Sequence, residues 1–216
     1  YQVHSVDFPI PFPLTPAEVQ ALRAERTAAG NQEEPAALEL TALAKERAIA
    51  RGKHLAEARY VCVECHGANF AGGTMIDAPA MGVLKGKNLT SGKGGAVADY
   101  TPADWDRMVR HGVKRNGTPT PMPSEDYAAA SDRELSDLIS YIRSLPPVDN
   151  VVPEVVLGPI GTMLMATGGI RLSAEHISHQ TPHAAEAPAE NTPEFGKHLV
   201  QVCTGCHNPQ LTGGPV

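Results

Sequence analysis

Cys62-Val63-Glu64-Cys65-His66 and Cys203-Thr204-Gly205-Cys206-His207 contain all four cysteines of this 216-residue chain. Each is a C-x-x-C-H run. Two thiols three positions apart reach the two vinyl groups along one porphyrin edge and form thioethers, and the next histidine then sits under the iron as proximal ligand. The pattern assigns Cys62, Cys65, Cys203 and Cys206 to covalent attachment of two haem c groups, with His66 and His207 as metal ligands. The alternative is zinc, since two Cys-x-x-Cys pairs make a four-thiolate set. A histidine directly after both pairs has no purpose in such a site.

The repeat extends outward from the motifs. Gly52-Lys53-His54-Leu55 precedes the first and Gly196-Lys197-His198-Leu199 the second, and Gly72-Gly73 downstream matches Gly213-Gly214. One haem module therefore starts twice. The second copy stops at Val216, nine residues past His207. That length does not enclose a porphyrin, so further chain is expected.

A net charge of −6 argues against nucleic acid as a partner. The charge is uneven: residues 81–115 hold seven Lys/Arg against three acids, and 116–150 hold six acids against two bases. Two solvated faces are one reading, and a dipole that orients a redox partner is the other. The most apolar stretch, 155–170, is 16 residues long and broken by Pro159, short of the roughly 20 that a helical span needs. Membrane association is thus expected only through a segment outside this chain. Tyr1 in place of methionine is consistent with removal of an upstream signal or anchor.

Turn and cap signals divide the chain. Residues 1–46 form an N-terminal extension that is proline-rich to residue 14. Thr15-Pro16-Ala17-Glu18 then reads as a capping box opening a helix that stops near Gly30. A second helix runs over 36–60 into the first motif. Residues 67–99 show no sustained period of 3.6 or 2 and read as glycine-rich loop. Thr101-Pro102-Ala103-Asp104 and Ser131-Asp132-Arg133-Glu134 open two more helices. The last carries apolar Leu135, Leu138, Ile139, Ile142 and Leu145 at helical spacing and ends at Pro146-Pro147. Residues 47–148 are then the first domain, 149–191 a linker, and 192–216 the incomplete beginning of a second domain. The fold class is all-α with minimal sheet.

The distal ligand of the first haem is sought among the methionines. Met122 lies in Thr120-Pro121-Met122-Pro123, a rigid polar loop that presents a thioether, and it is the candidate. Met108, beside Trp105, reads as core filler. His111, at a helix end before Gly112, is the rival. Ligation by His111 would make the site bis-histidine and lower its potential.

Gly52, the first motif, Asn88-Leu89-Thr90, Trp105, His111-Gly112-Val113, Met122-Pro123 and Tyr141-Ile142-Arg143-Ser144-Leu145 together resemble a class I cytochrome c. The likeness is in particular to the modules of multi-haem cytochrome c subunits of membrane-bound alcohol and gluconate dehydrogenases. The resemblance covers 47–148, and 192–216 as the start of a second module. It implies that the first and last helices cross with Gly52 against the Tyr141 region, and that the methionine of the Met-Pro pair is the distal ligand. Such subunits usually carry three haems, and this chain has two motifs. The second module also lacks a downstream methionine.

Electron transfer is the expected function, on the periplasmic or extracytoplasmic side where such haems are attached. The expected partners are redox proteins such as a membrane dehydrogenase or oxidase complex. The alternative is a di-haem peroxidase drawing acid–base groups from the spare histidines 4, 54, 111, 176, 179, 183 and 198. An accessory role in a redox assembly differs from the first reading only in the partner.

Overall fold

The computed structural model describes residues 6–213; Tyr1, His4, Gly214 and Val216 lie outside the described residues. The chain runs through α1 (Pro16–Ala28), α2 (Ala37–His54), α3 (Cys62–His66), β1 (Gly73–Ala78), β2 (Gly82–Gly86), α4 (Pro102–Val109), α5 (Asp132–Ser144), β3 (Val156–Leu157), α6 (Pro159–Ala166), α7 (Pro193–Val200) and α8 (Thr204–His207). Among these, α1, α4 and α5 start on complete capping boxes: Thr15 with Glu18, Thr101 with Asp104, and Ser131 with Glu134. Each cap oxygen accepts from an N–H that helix geometry would leave orphaned, a gain of about 1 kcal/mol. A π-helical turn, Leu55–Arg59, carries α2 toward α3.

The core forms where α2 and α5 cross. Leu135, Leu138, Ile139 and Ile142 all face inward on α5 and are at most 5% exposed. Gly52 lies at the crossing, where a Cβ would stand 1.9 Å from the Asp137 carbonyl oxygen and 2.8 Å from Tyr141 Cβ. Only a residue without a side chain lets the two backbones approach that closely. Asp137 is 2% exposed and holds Arg51 of α2 through Nε (2.6 Å) and Nη2 (3.0 Å). The N-terminal extension packs on the same body: Phe8 is buried in the core, Ser136 Oγ donates to Pro9 O (2.7 Å), and Glu18 meets Arg51 (3.3 Å).

The all-α expectation requires one correction. The fold is mostly helical, but β1, β2 and β3 form an antiparallel sheet in the order β1-β2-β3. Gly73 pairs with Gly86 and Ile76 with Leu84, while Gly82 pairs with Leu157. The hairpin lies within the stretch read as loop. Its first strand is mostly exposed, so neither strand had to alternate apolar and polar residues to bury a face. The third strand comes from about 70 residues downstream. Gly73 and Gly86 let the hairpin lie on the first motif, since a Cβ on Gly86 would stand 2.0 Å from Cys65 O.

Residues 149–191 run along the body just described. They supply β3 and α6, and a 3-10 turn, Ser173–Glu175, reaches the Met122 loop. Farther on, Ala184 O and Ala185 O accept from the Asp132 and Arg133 N–H groups at the start of α5 (2.9 and 3.0 Å). Among the described residues, no helix is long and apolar enough to cross a membrane.

Candidate haem site

Cys62, Cys65, His66 and Met122 line one cavity of about 430 Å³. Leu89, Ala96, Pro121, Pro123 and Val155 supply apolar lining, and Tyr100 and Tyr127 add two aromatic side chains. Both cysteines are free thiols, as thioether formation requires. Burial pushes the Cys62 thiol up to about 12 and also raises that of Cys65, so neither is a thiolate before attachment.

His66 Nδ1 donates to Lys87 O at 2.8 Å. That bond assigns the proton to Nδ1 and leaves the Nε2 lone pair for a metal. Burial lowers the His66 pKa, which the Lys87 carbonyl partly offsets, so the imidazole is neutral when it binds. Lys87 is held in turn, its Nζ donating to Val152 O (3.1 Å), Pro153 O (3.0 Å) and Glu154 Oε1 (2.7 Å). The next residues explain Asn88-Leu89-Thr90. Asn88 Nδ2 donates to Val148 O (2.9 Å), and Thr90 Oγ1 accepts from Val148 N (3.0 Å). The segment after His66 is thereby tied to the exit of α5.

The Met122 loop is pinned from outside by Ser173. Ser173 Oγ accepts from Ser124 N (2.9 Å) and lies 2.9 Å from Met122 O. Nothing in the local sequence around residue 122 announces this partner, which comes from the stretch read as linker. Met75 and Met108 also line the cavity, Met75 from exposed β1 and Met108 from α4. His111 does not line it. It is 2% exposed and packs instead on Asp106, His179 and His183.

Residues 49–146 match the cytochrome c family. The chain carries a cytochrome c domain. Among curated proteins, it is 32% identical over 192 residues to the gluconate 2-dehydrogenase cytochrome c subunit of Pantoea cypripedii, covering 80% of this chain and 42% of that protein. It is 30% identical over 180 residues to the fructose dehydrogenase cytochrome subunit of Gluconobacter japonicus, covering 78% and 36%. A diheme cytochrome c-type protein of Cereibacter sphaeroides matches at 27% over 180 residues, covering 71% and 59%. The chain spans less than half the length of the first two relatives.

The cytochrome c domain binds haem c, and the cavity suits it: two free thiols, a histidine with its proton held on Nδ1, and thioethers within one largely apolar enclosure. The basic run of the sequence also converges here, because Lys85, Lys87, Lys114 and Arg115 are all lining residues.

The second motif has different surroundings. Cys203, Cys206 and His207 are not buried, and none lines this cavity. The segment rests on the loop after Met122, where a Cβ on Gly205 would stand 2.5 Å from Asp126 Oδ1. Burial, and then Glu125, push the Asp126 carboxyl up to about 6. Upstream, α7 docks through His198, whose Nε2 lies 2.9 and 3.0 Å from the Glu134 carboxylate oxygens.

Proposed function

We propose that this chain carries single electrons through haem c with His66 and Met122 as axial ligands, as part of an extracytoplasmic redox complex with a dehydrogenase partner. The observation that carries the reading is the shared cavity of Cys62, Cys65, His66 and Met122. Held by Cys62, Cys65, His66 and Met122, haem would supply a one-electron iron couple, and with both His66 and Met122 on the iron it would carry electrons without binding substrate. The chain's own groups set the conditions. Lys87 O orients the His66 ring and raises its basicity; Pro121, Pro123 and Ser173 hold the Met122 loop against rearrangement; the apolar lining excludes water; and the four cations offset propionate charge.

The relatives' names supply the partner class, since two are cytochrome subunits of sugar or sugar-acid dehydrogenases. We assign a second haem to Cys203, Cys206 and His207, completed by groups outside the described residues. The peroxidase alternative needs acid–base groups at the iron. The lining contains no histidine but His66, and its one carboxylate, Glu154, is paired with Lys87 at 2.7 Å.

The oxidised protein is expected to show the weak long-wavelength sulfur-to-iron charge-transfer band. Met122→Ala should abolish it, while Met75→Ala and Met108→Ala keep it. Persistence of the band in Met122→Ala overturns the ligand assignment, and rapid peroxide turnover by the wild-type protein overturns the electron-carrier reading.

A further inference from the structure

A second cavity, of about 310 Å³, lies apart from the haem site and is lined by Asp106, Arg110, His111, Asp132, His179 and His183. Asp106 and His111 come from α4 and the turn after it, while His179 and His183 come from the segment between the two motifs. One ligand atom each from Asp106, His111 and His183 lies within 4.8 Å of the other two. His111 Nε2 is 3.4 Å from His183 Nε2 and 3.5 Å from Asp106 Oδ2, and His183 Nε2 is 3.8 Å from Asp106 Oδ1. Zinc–ligand bonds near 2.1 Å place tetrahedral ligand atoms about 3.4 Å apart, so the spacing is that of a coordination shell.

The proton positions point the same way. Ala174 O only accepts, so His179 Nε2, 2.9 Å away, carries the hydrogen. His179 Nδ1 then faces His111 Nδ1 at 3.0 Å. His111 Nε2 faces the buried Asp106 Oδ2 at 3.5 Å. Arg110 Nη1 is committed to Asp106 Oδ1 (3.1 Å) and Asp132 Oδ1 (2.8 Å), on the other oxygen of Asp106.

We propose that Asp106, His111 and His183 bind one divalent zinc ion, with His179 orienting His111 from behind. The ion joins α4 to the 173–185 segment and holds in place the stretch whose Ser173 pins the Met122 loop. Among the described residues, three protein ligands supply the shell. The donor set of two imidazoles and a carboxylate suits Zn2+ over Ca2+ or Mg2+, which take oxygen ligands.

The test uses the haem-loaded protein, stripped with chelator and titrated with Zn2+ by calorimetry, with metal content measured after gel filtration. One zinc per chain is expected in the wild type and in His176→Gln, which removes an exposed histidine outside the cluster. His183→Gln should lose the stoichiometric site while its haem spectrum stays unchanged. His179→Ala should weaken binding by about 10–100-fold. Co2+ in place of Zn2+ should give the intense visible bands of tetrahedral coordination in the wild type, a readout that holds even if a variant fails to fold. Absence of a stoichiometric site, equal binding by wild type and His183→Gln, equal loss in His176→Gln, or octahedral cobalt spectra would each overturn the proposal.

Discussion

His66 stands in a cavity with its Nδ1 bonded to Lys87 O, the β1–β2 hairpin over its motif and the Met122 loop lining the same space. His207 follows an identical cysteine spacing and is exposed on a short helix, with the Ser124–Asp126 turn beneath its segment. The glycines that precede the motifs differ in the same way. Gly52 meets the Asp137 carbonyl at a distance that no side chain tolerates, while a Cβ on Gly196 would meet nothing within 4 Å. At the first motif, the covalent chemistry is specified by the motif and its enclosure by residues far from it. The hairpin, the crossing helix and the pinned loop are separate pieces, and each needs its own residues.

The glycines offer the sharpest way to break this comparison. Gly52→Ala should force α2 and α5 apart and cost about 3 kcal/mol, read as a lower denaturation midpoint and reduced haem incorporation. Gly196→Ala, in a half-buried helix position with open space around the new Cβ, should stabilise slightly, by no more than about 1 kcal/mol. Equal effects at the two sites would show that the second copy has a crossing helix of its own.

A smaller effect is expected at the junction of the two regions. The folded Asp126 carboxyl is raised to about 6 from an ordinary value of 3.8. Between those values the folded state binds more protons than the unfolded state, so stability falls as pH rises through this window, and the full cost applies above it. Asp126→Asn should remove the cost. It should flatten the stability profile between about pH 4 and 6 and add about 1 kcal/mol at pH 7, after allowance for the group's partial exposure. Urea titrations across pH measure this, and an unchanged slope would contradict the burial of that carboxyl.

The smallest effect concerns docking of the second copy. His198→Ala removes the contact with Glu134 and should speed proteolysis near residues 190–200, at a stability cost below about 1 kcal/mol. His54 occupies the same place in the first repeat and is exposed, so His54→Ala should leave cleavage unchanged.

The helices that open at Thr15, Thr101 and Ser131 were legible because a cap is a local interaction, complete within four residues. The amphipathic face of α5 was legible because its period is written along one element. The sheet was not, since β1 exposes most of its side chains and β2 gains its second partner from Val156–Leu157. The role of Ser173 was hidden for the same reason. The histidines at 179 and 183 read as a polar linker because no carboxylate pairs with them at an evident spacing, whereas Asp106 reaches them only after 173–185 folds back onto α4.

The sequence by itself determined the cofactor chemistry, through paired thiols followed directly by a histidine, and it determined most helix boundaries through caps and period. Tertiary structure alone decided which methionines line the cavity of the first motif and which histidines were gathered elsewhere. Those outcomes depend on contacts between segments tens of residues apart, where close approach at Gly52 and Gly86 and hydrogen bonds from distant loops act, and no local pattern encodes them.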